Sequence, residues 1–171
     1  MSSRSSRGFT LVELMVTIMV LAILIAIAVP GFQGVMRSNR IATSTNSMLA
    51  SLSLARSEAI KNAHGAGVCA SNNGAGCNGA TWGDGWLVWN DADGDGTLNN
   101  GETVIQYTEG KPSLVGDAGA TTISFDPRGR RRSPQDQSIE LRPDECGSQP
   151  LRRTLQVMPT GQVKVRKDTC Q

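Results

Sequence analysis

Histidine is nearly missing from this chain: of 171 residues only His64 is one. That scarcity closes several chemical routes. No second histidine exists to share a metal ion or a proton relay, and no H-E-x-x-H stretch is present. The sequence also lacks G-x-S-x-G and a phosphate-binding glycine loop, and its carboxylates group into turns and strand edges with no pair in an apolar setting. An enzyme is therefore not expected. C-x-x-C is absent too, which argues against zinc at Cys69, Cys77, Cys146 and Cys170. His64 itself stands at the end of an expected helix, where the C-terminal dipole favours it. Net charge is small, at +2, so overall charge names no partner.

What the chain does have is a long apolar run. Residues 9 to 29 are apolar except for Thr10, Glu13 and Thr17, with no glycine or proline inside. As a helix that run measures roughly 31 Å, enough to cross a bilayer core. Being apolar all round, it has no wet face. Glu13 is the exception, and a charge in such a helix marks a functional position unless it merely reaches a helix end or headgroup. The preceding residues are polar and basic, with Arg4 and Arg7, like the start of an export signal. The small-residue cleavage site that normally follows the apolar core is missing, whereas cleavage at Gly8 would keep the helix.

Gly8-Phe9-Thr10-Leu11-Val12-Glu13 resembles the class III signal of type IV pilins and type II secretion pseudopilins. That resemblance implies a prepilin peptidase that removes residues 1–8 and methylates the amine of Phe9. It implies that Glu13 pairs with the N-terminal amine of a neighbouring subunit, and it sets Pro30 where the family often bends its helix. Other minor and major pilins and an inner-membrane assembly platform are the implied partners. The implied location is the inner membrane, single-pass with a periplasmic C-terminal domain, and then a pilus or pseudopilus.

An even cysteine count in an exported chain favours disulfides. Of three possible pairings, the shortest loops favour Cys69–Cys77 and Cys146–Cys170. Charge is unevenly spread: Asp84 to Asp126 holds eight acidic residues against Lys111, while Arg128 to Gln171 holds ten basic against five acidic. One end of the domain is expected to be acidic and the other basic if chain order maps to space.

Beyond Pro30 the helix is expected to continue to about Asn62. Ile41, Thr45, Met48, Leu52, Ala55 and Ala59 recur at steps of four and three, one stripe of an amphipathic helix, and Gly65 and Gly67 mark its stop. Residues 71–85 form a glycine- and asparagine-rich loop. Strands are expected at 86–89, 103–107, 121–125, 138–141, 155–158 and 162–166, the last two joined by a Pro159-Thr160-Gly161 turn. In the last strand valines alternate with Lys164 and Arg166, so one buried and one positive face are expected. The organisation is thus a leader (1–8), a membrane and assembly helix (9–29), an amphipathic helical half (30–64) and a periplasmic β-rich domain (65–171). This is an α+β fold, mostly antiparallel.

Ala55-Arg56-Ser57-Glu58-Ala59, Gly85-Trp86 and the acidic stretch ending at Glu102 resemble the GspH/FimT/FimU branch of the pilin-like proteins. The branch implies a pilin-like fold, a β-rich sandwich on the helix. It also implies the work of a minor type IV pilin that primes or supports pilus assembly, with a minor type II secretion pseudopilin as the alternative. A third possibility is a DNA-binding minor pilin for natural transformation. Some members bind DNA through a basic G-R-x-R motif. Gly161-Gln162-Val163-Lys164 stands near that position without its arginines, and Gly129-Arg130-Arg131-Arg132 has the letters elsewhere. Arg130, Arg131, Arg132, Lys164 and Arg166 are the candidate DNA contacts. No aromatic residue accompanies them for base stacking.

Asp91 to Glu102 fits D-x-[DN]-x-[DN]-G-x5-E at every position. Asp91, Asp93, Asp95, Thr97 (through its carbonyl), Asn99 and Glu102 are candidate calcium ligands, and Gly96 permits the sharp turn. Strands, not helices, flank the loop, and the competing reading is a solvated acidic hairpin tip. No cofactor is expected to be required. Trp86 and Trp89 fall on opposite faces of one strand, so one is read as core and at least one is expected at the surface or an interface.

Overall fold

The computed structural model describes residues 8–118, 120–147 and 149–170, so the expected leader lies outside the described residues except for Gly8. The chain divides into two units, one ending at Met36 and the other running from Arg37 to Gln171. One long α-helix, α1, spans Leu11–Asn62.

In the first unit the helix starts behind Thr10, whose hydroxyl accepts a 3.2 Å hydrogen bond from the Glu13 N–H. Thr10-Leu11-Val12-Glu13 has the spacing of a capping box, and this bond is its first half. With no glycine or proline between Leu11 and Val29 the helix has nothing to break it, and it continues through Pro30. Its side chains from Leu11 to Val29 are exposed throughout.

In the second unit α1 is one-sided. Every residue of the expected stripe (Ile41, Thr45, Met48, Leu52, Ala55 and Ala59) is buried, whereas Asn39, Asn46, Ser53 and Ser57 are exposed. Asn62 ends the helix. Its side-chain carbonyl accepts from the N–H groups of His64 (2.8 Å) and Gly65 (3.1 Å), while Ala63 takes a left-handed φ of 59°.

Among the described residues the rest of the unit is built on two four-stranded sheets, antiparallel throughout, with one 3-10 turn at Trp82–Asp84. Sheet A contains β1 (Ala66–Ala70), β2 (Gly85–Asn90), β3 (Thr103–Glu109) and β5 (Thr122–Phe125), in the order β3-β2-β1-β5. Sheet B contains β4 (Leu114–Ala118), β6 (Gln137–Pro143), β7 (Arg152–Val157) and β8 (Val163–Asp168), in the order β4-β6-β7-β8. One hydrophobic cluster joins the α1 stripe to Val68, Trp86, Val88, Ile123 and Phe125 of sheet A and Ile139, Leu141, Leu155 and Val157 of sheet B. Strands β6 and β7 bury alternate residues, as period-two strands with one covered face must.

Strands β1 and β4 were not expected from sequence. A-G-V-C-A and L-V-G-D-A carry glycines and few branched side chains, which reads as loop. Both glycines are there for close contact. A Cβ on Gly67 would lie 2.2 Å from the Trp89 ring, and one on Gly116 would lie 2.4 Å from the Gly83 backbone nitrogen. Gly65 and Gly67 therefore do not stop the helix, since Asn62 and Ala63 do.

Three further expectations need correction. All three tryptophans are buried: Trp86 donates to the Ser51 hydroxyl at 3.0 Å and Trp82 to the Ala120 carbonyl at 3.0 Å. Trp89 does face the other side of sheet A, but it is covered there by Leu98 and Val104, beside Cys69 and Leu87. Strand β8 lacks a buried valine face, because as an edge strand it leaves Val163 half-buried and Val165 exposed. Chain order does not separate charge cleanly either, since Arg132 sits in the acidic loop. Disulfides join Cys69 to Cys77 and Cys146 to Cys170.

Candidate functional site

Two regions carry the charge and exposure that function requires, and they lie in different units. The first is the start of α1. Phe9, Leu11, Val12, Leu14 and Met15 are all exposed around Glu13. Among the described residues the Glu13 carboxylate meets no cation, and the bond that caps the helix uses only its backbone N–H. An apolar surface of this length is incompatible with water and calls for lipid or other apolar helices. Gly8 and Phe9 precede the helix in open, non-helical chain.

The second region is the loop between β2 and β3. Asp91 directly follows β2 and Glu102 directly precedes β3, so the strand pair fixes both ends of the twelve-residue motif. Asp91 is buried at 0% exposure. Its N–H donates to the Gly65 carbonyl, and its Oδ2 accepts from the Gly96 N–H (3.1 Å) and the Arg132 guanidinium (3.1 Å). Asp93 Oδ1 accepts from the Asp95 N–H, and Asp95 Oδ1 accepts from the N–H and hydroxyl of Thr97. The Asn99 amide donates to Asp93 and Asp95, and Glu102 accepts from the N–H groups of Ala92 and Asn99. Gly94 and Gly96 adopt φ values of 77° and 84°, which the tight winding requires. Burial pushes the Asp91 carboxyl above its ordinary range despite the Gly96 N–H and Arg132, while hydrogen bonds from Thr97 and Asn99 hold Asp95 below it.

The four arginines of the 128–132 loop have different surroundings. Arg130 is exposed but paired with Asp126 at 2.9 Å. Arg131 is 5% exposed, and Arg132 bridges Asp91 and the His64 carbonyl. The expected row of three exposed arginines is therefore corrected to one, Arg130, because the strand-like pairing of Arg131 with Phe125 turns alternate side chains inward and toward the acidic loop. Lys164 and Arg166 are exposed on β8, with Arg166 3.7 Å from Asp168. The two stretches likened to a basic motif are neighbours in space: the Arg131 N–H donates to the Pro159 carbonyl, and a Cβ on Gly161 would lie 2.1 Å from the Gly129 carbonyl. Arg56 of the A-R-S-E-A segment donates to that same Gly129 carbonyl at 3.0 Å, while Ala55 and Ala59 face the core.

The place of Arg132 is not legible in the sequence. Its partner lies 41 positions away, and nothing in the local pattern signals the pairing.

Comparison with known proteins adds three findings. A family model described as the type II transport protein GspH matches residues 44–161, and a model for the prokaryotic N-terminal methylation motif matches residues 3–29. The search of curated proteins found no match. Two crystal structures of the type IV minor pilin FimU from Pseudomonas aeruginosa PAO1, in space groups P21 and P65, share the fold. They are each 17% identical, cover 75% and 73% of this chain and 89% and 91% of their own, and give TM-scores of 0.57 and 0.55. At that identity the likeness speaks for the fold alone.

Proposed function

Because the chain belongs to the GspH family of type II transport proteins, we propose that it is a minor type IV pilin, a structural subunit that primes or supports pilus assembly and so serves twitching motility and adhesion. The observation that carries this reading is the open apolar helix from Leu11 to Val29, interrupted by the single carboxylate of Glu13 and joined to a compact β-rich head. A prepilin peptidase cleaves after Gly8 and methylates Phe9. Before assembly the helix holds the protein in the inner membrane with the head in the periplasm, an oxidising compartment that suits two disulfides. During assembly Glu13 accepts the N-terminal amine of a neighbouring pilin, a charge pair formed in surroundings where an unpaired carboxylate is costly. The assembly platform and the other minor and major pilins are its partners.

Deletion of the gene, with Glu13→Ala as the point variant, tests the reading. Loss of surface pili and twitching with intact protein secretion is the expected result. Loss of secretion with intact pili assigns the chain to a type II secretion pseudopilus instead. Normal filament entry by the Glu13→Ala protein refutes the assembly role of that carboxylate.

A second reading, DNA capture, is supported by the closeness of the Arg128–Arg130 and Gly161–Lys164 turns, on which Arg128, Arg130 (paired with Asp126) and Lys164 are exposed. It requires DNA binding that weakens steeply with salt and falls on Arg130→Ala/Lys164→Ala, and transformation that is lost while pili remain. Binding indifferent to both changes removes it.

A further inference from the structure

We propose that the β2–β3 loop binds one calcium ion, held by Asp91, Asp93 and Asp95 and completed by Thr97, Asn99 and Glu102. Suitable oxygens of the three aspartates lie within 4.8 Å of one another. Proximity of exposed acids alone means little, but Asp91 is not exposed. Its side chain is wholly buried, and Oδ1 has no hydrogen-bond partner among the described residues. A buried carboxylate oxygen left without a partner is costly, and folded proteins rarely keep one. Its other oxygen is already taken by Gly96 and Arg132, so neither of these relieves Oδ1. A cation between Asp91, Asp93 and Asp95 does.

The chemistry selects calcium. The candidate donors are all oxygens, with no sulfur or imidazole among them, which is a hard-cation set. Six candidate oxygen donors from one loop suit the irregular six-to-eight oxygen shell of calcium, whereas magnesium demands a near-ideal octahedron and releases its water reluctantly. Four carboxylates against one guanidinium leave the empty loop strongly negative, and a divalent ion offsets most of that charge.

Position indicates the consequence. Asp91 and Glu102 are the residues that leave β2 and enter β3, so an ion gripped by both closes the hairpin at its root. Asp91 also reaches Gly65 through its N–H and Arg132 through Oδ2, and Leu98 of the same loop covers Trp89. Calcium thus ties the end of α1, sheet A and the arginine loop together, a structural role with no reaction step.

The test uses the full-length protein in detergent micelles, stripped with EDTA and then given calcium chloride or magnesium chloride. Calorimetry is expected to show one calcium per chain. The head's Tm is expected to rise by about 10 °C once calcium reaches about 100 times its Kd. Magnesium is expected to act at least about 10-fold more weakly. Asp93→Asn and Asp95→Asn, both at exposed positions, are each expected to lower calcium affinity by about 10-fold or more, with the calcium-dependent rise read against each variant's own metal-free Tm. Absence of heat and of any Tm change at about 10 mM calcium overturns the proposal, since extracellular calcium modules bind at or below that range. An undiminished response in the Asp93→Asn/Asp95→Asn double variant, or an equal response to magnesium, overturns it as well. None of these readouts depends on filament formation, so the site and the assembly role stand or fall separately.

Discussion

Breaking the bond between Cys146 and Cys170 offers the sharpest test of how the head is held together. The bond spans 24 positions and fastens the segment after β8 to the loop after β6. Strand β8 is an edge strand paired only to β7, and its Val165 is exposed, so packing alone holds it weakly. Loop-closure entropy for that separation gives about 3.4 kcal/mol of stabilisation at 25 °C. In a domain of the size of Arg37–Gln171, each kcal/mol moves Tm by about 4 °C, so the Cys146→Ala/Cys170→Ala protein is expected to melt about 14 °C lower. Both cysteines are only half-buried, which keeps lost packing a minor contribution. Thermal melting in detergent gives the shift, and native-state hydrogen exchange locates it: protection should drop first at Val163–Asp168. A fall of less than about 3 °C, or a loss of protection spread evenly over sheet A, would refute the idea that this bond secures the final strand.

Other perturbations follow from single contacts. Gly67→Ala forces a methyl group into the Trp89 ring, where a Cβ has 2.2 Å, and is expected to cost at least about 1–3 kcal/mol with altered tryptophan fluorescence; unchanged melting would mean the ring does not lie there. Ser51→Ala leaves the buried Trp86 indole N–H without its acceptor and should cost about 1–3 kcal/mol in urea unfolding, most of it recovered in the double variant with Trp86→Phe. Asp126 is partly buried, which alone would raise its carboxyl, but hydrogen bonds from the backbone and guanidinium of Arg130 and the backbone of Arg128 bring it below the ordinary range. A depressed carboxyl stabilises above its unfolded value, near pH 4, and that stability is lost as pH falls through the folded value. Asp126→Asn should therefore lower stability at pH 5–8 and converge with the parent protein near pH 2; a constant difference across that range contradicts the assignment.

Much was determined by local sequence. The span from Phe9 to Val29 is apolar without interruption beyond Thr10, Glu13 and Thr17, and the stripe from Ile41 to Ala59 keeps a helical period, so one helix with two different surroundings was inevitable. The Pro159-Thr160-Gly161 turn forms the β7–β8 hairpin, with Gly161 at a φ of 79°, because its chemistry leaves few other conformations. Asp91 to Glu102 carries its ligand spacing in the letters alone. Tertiary structure decided the rest. Ala66–Ala70 becomes the strand between β2 and β5 because Trp89 needs the bare backbone of Gly67, a requirement set by a residue 22 positions away. Arg131 and Arg132 look like their exposed neighbours Arg128 and Arg130 in sequence, yet the pairing with Phe125 buries one and sends the other to Asp91. Periodicity and turn chemistry act between near neighbours and can be read along the chain, whereas burial and charge pairing depend on which distant segments meet.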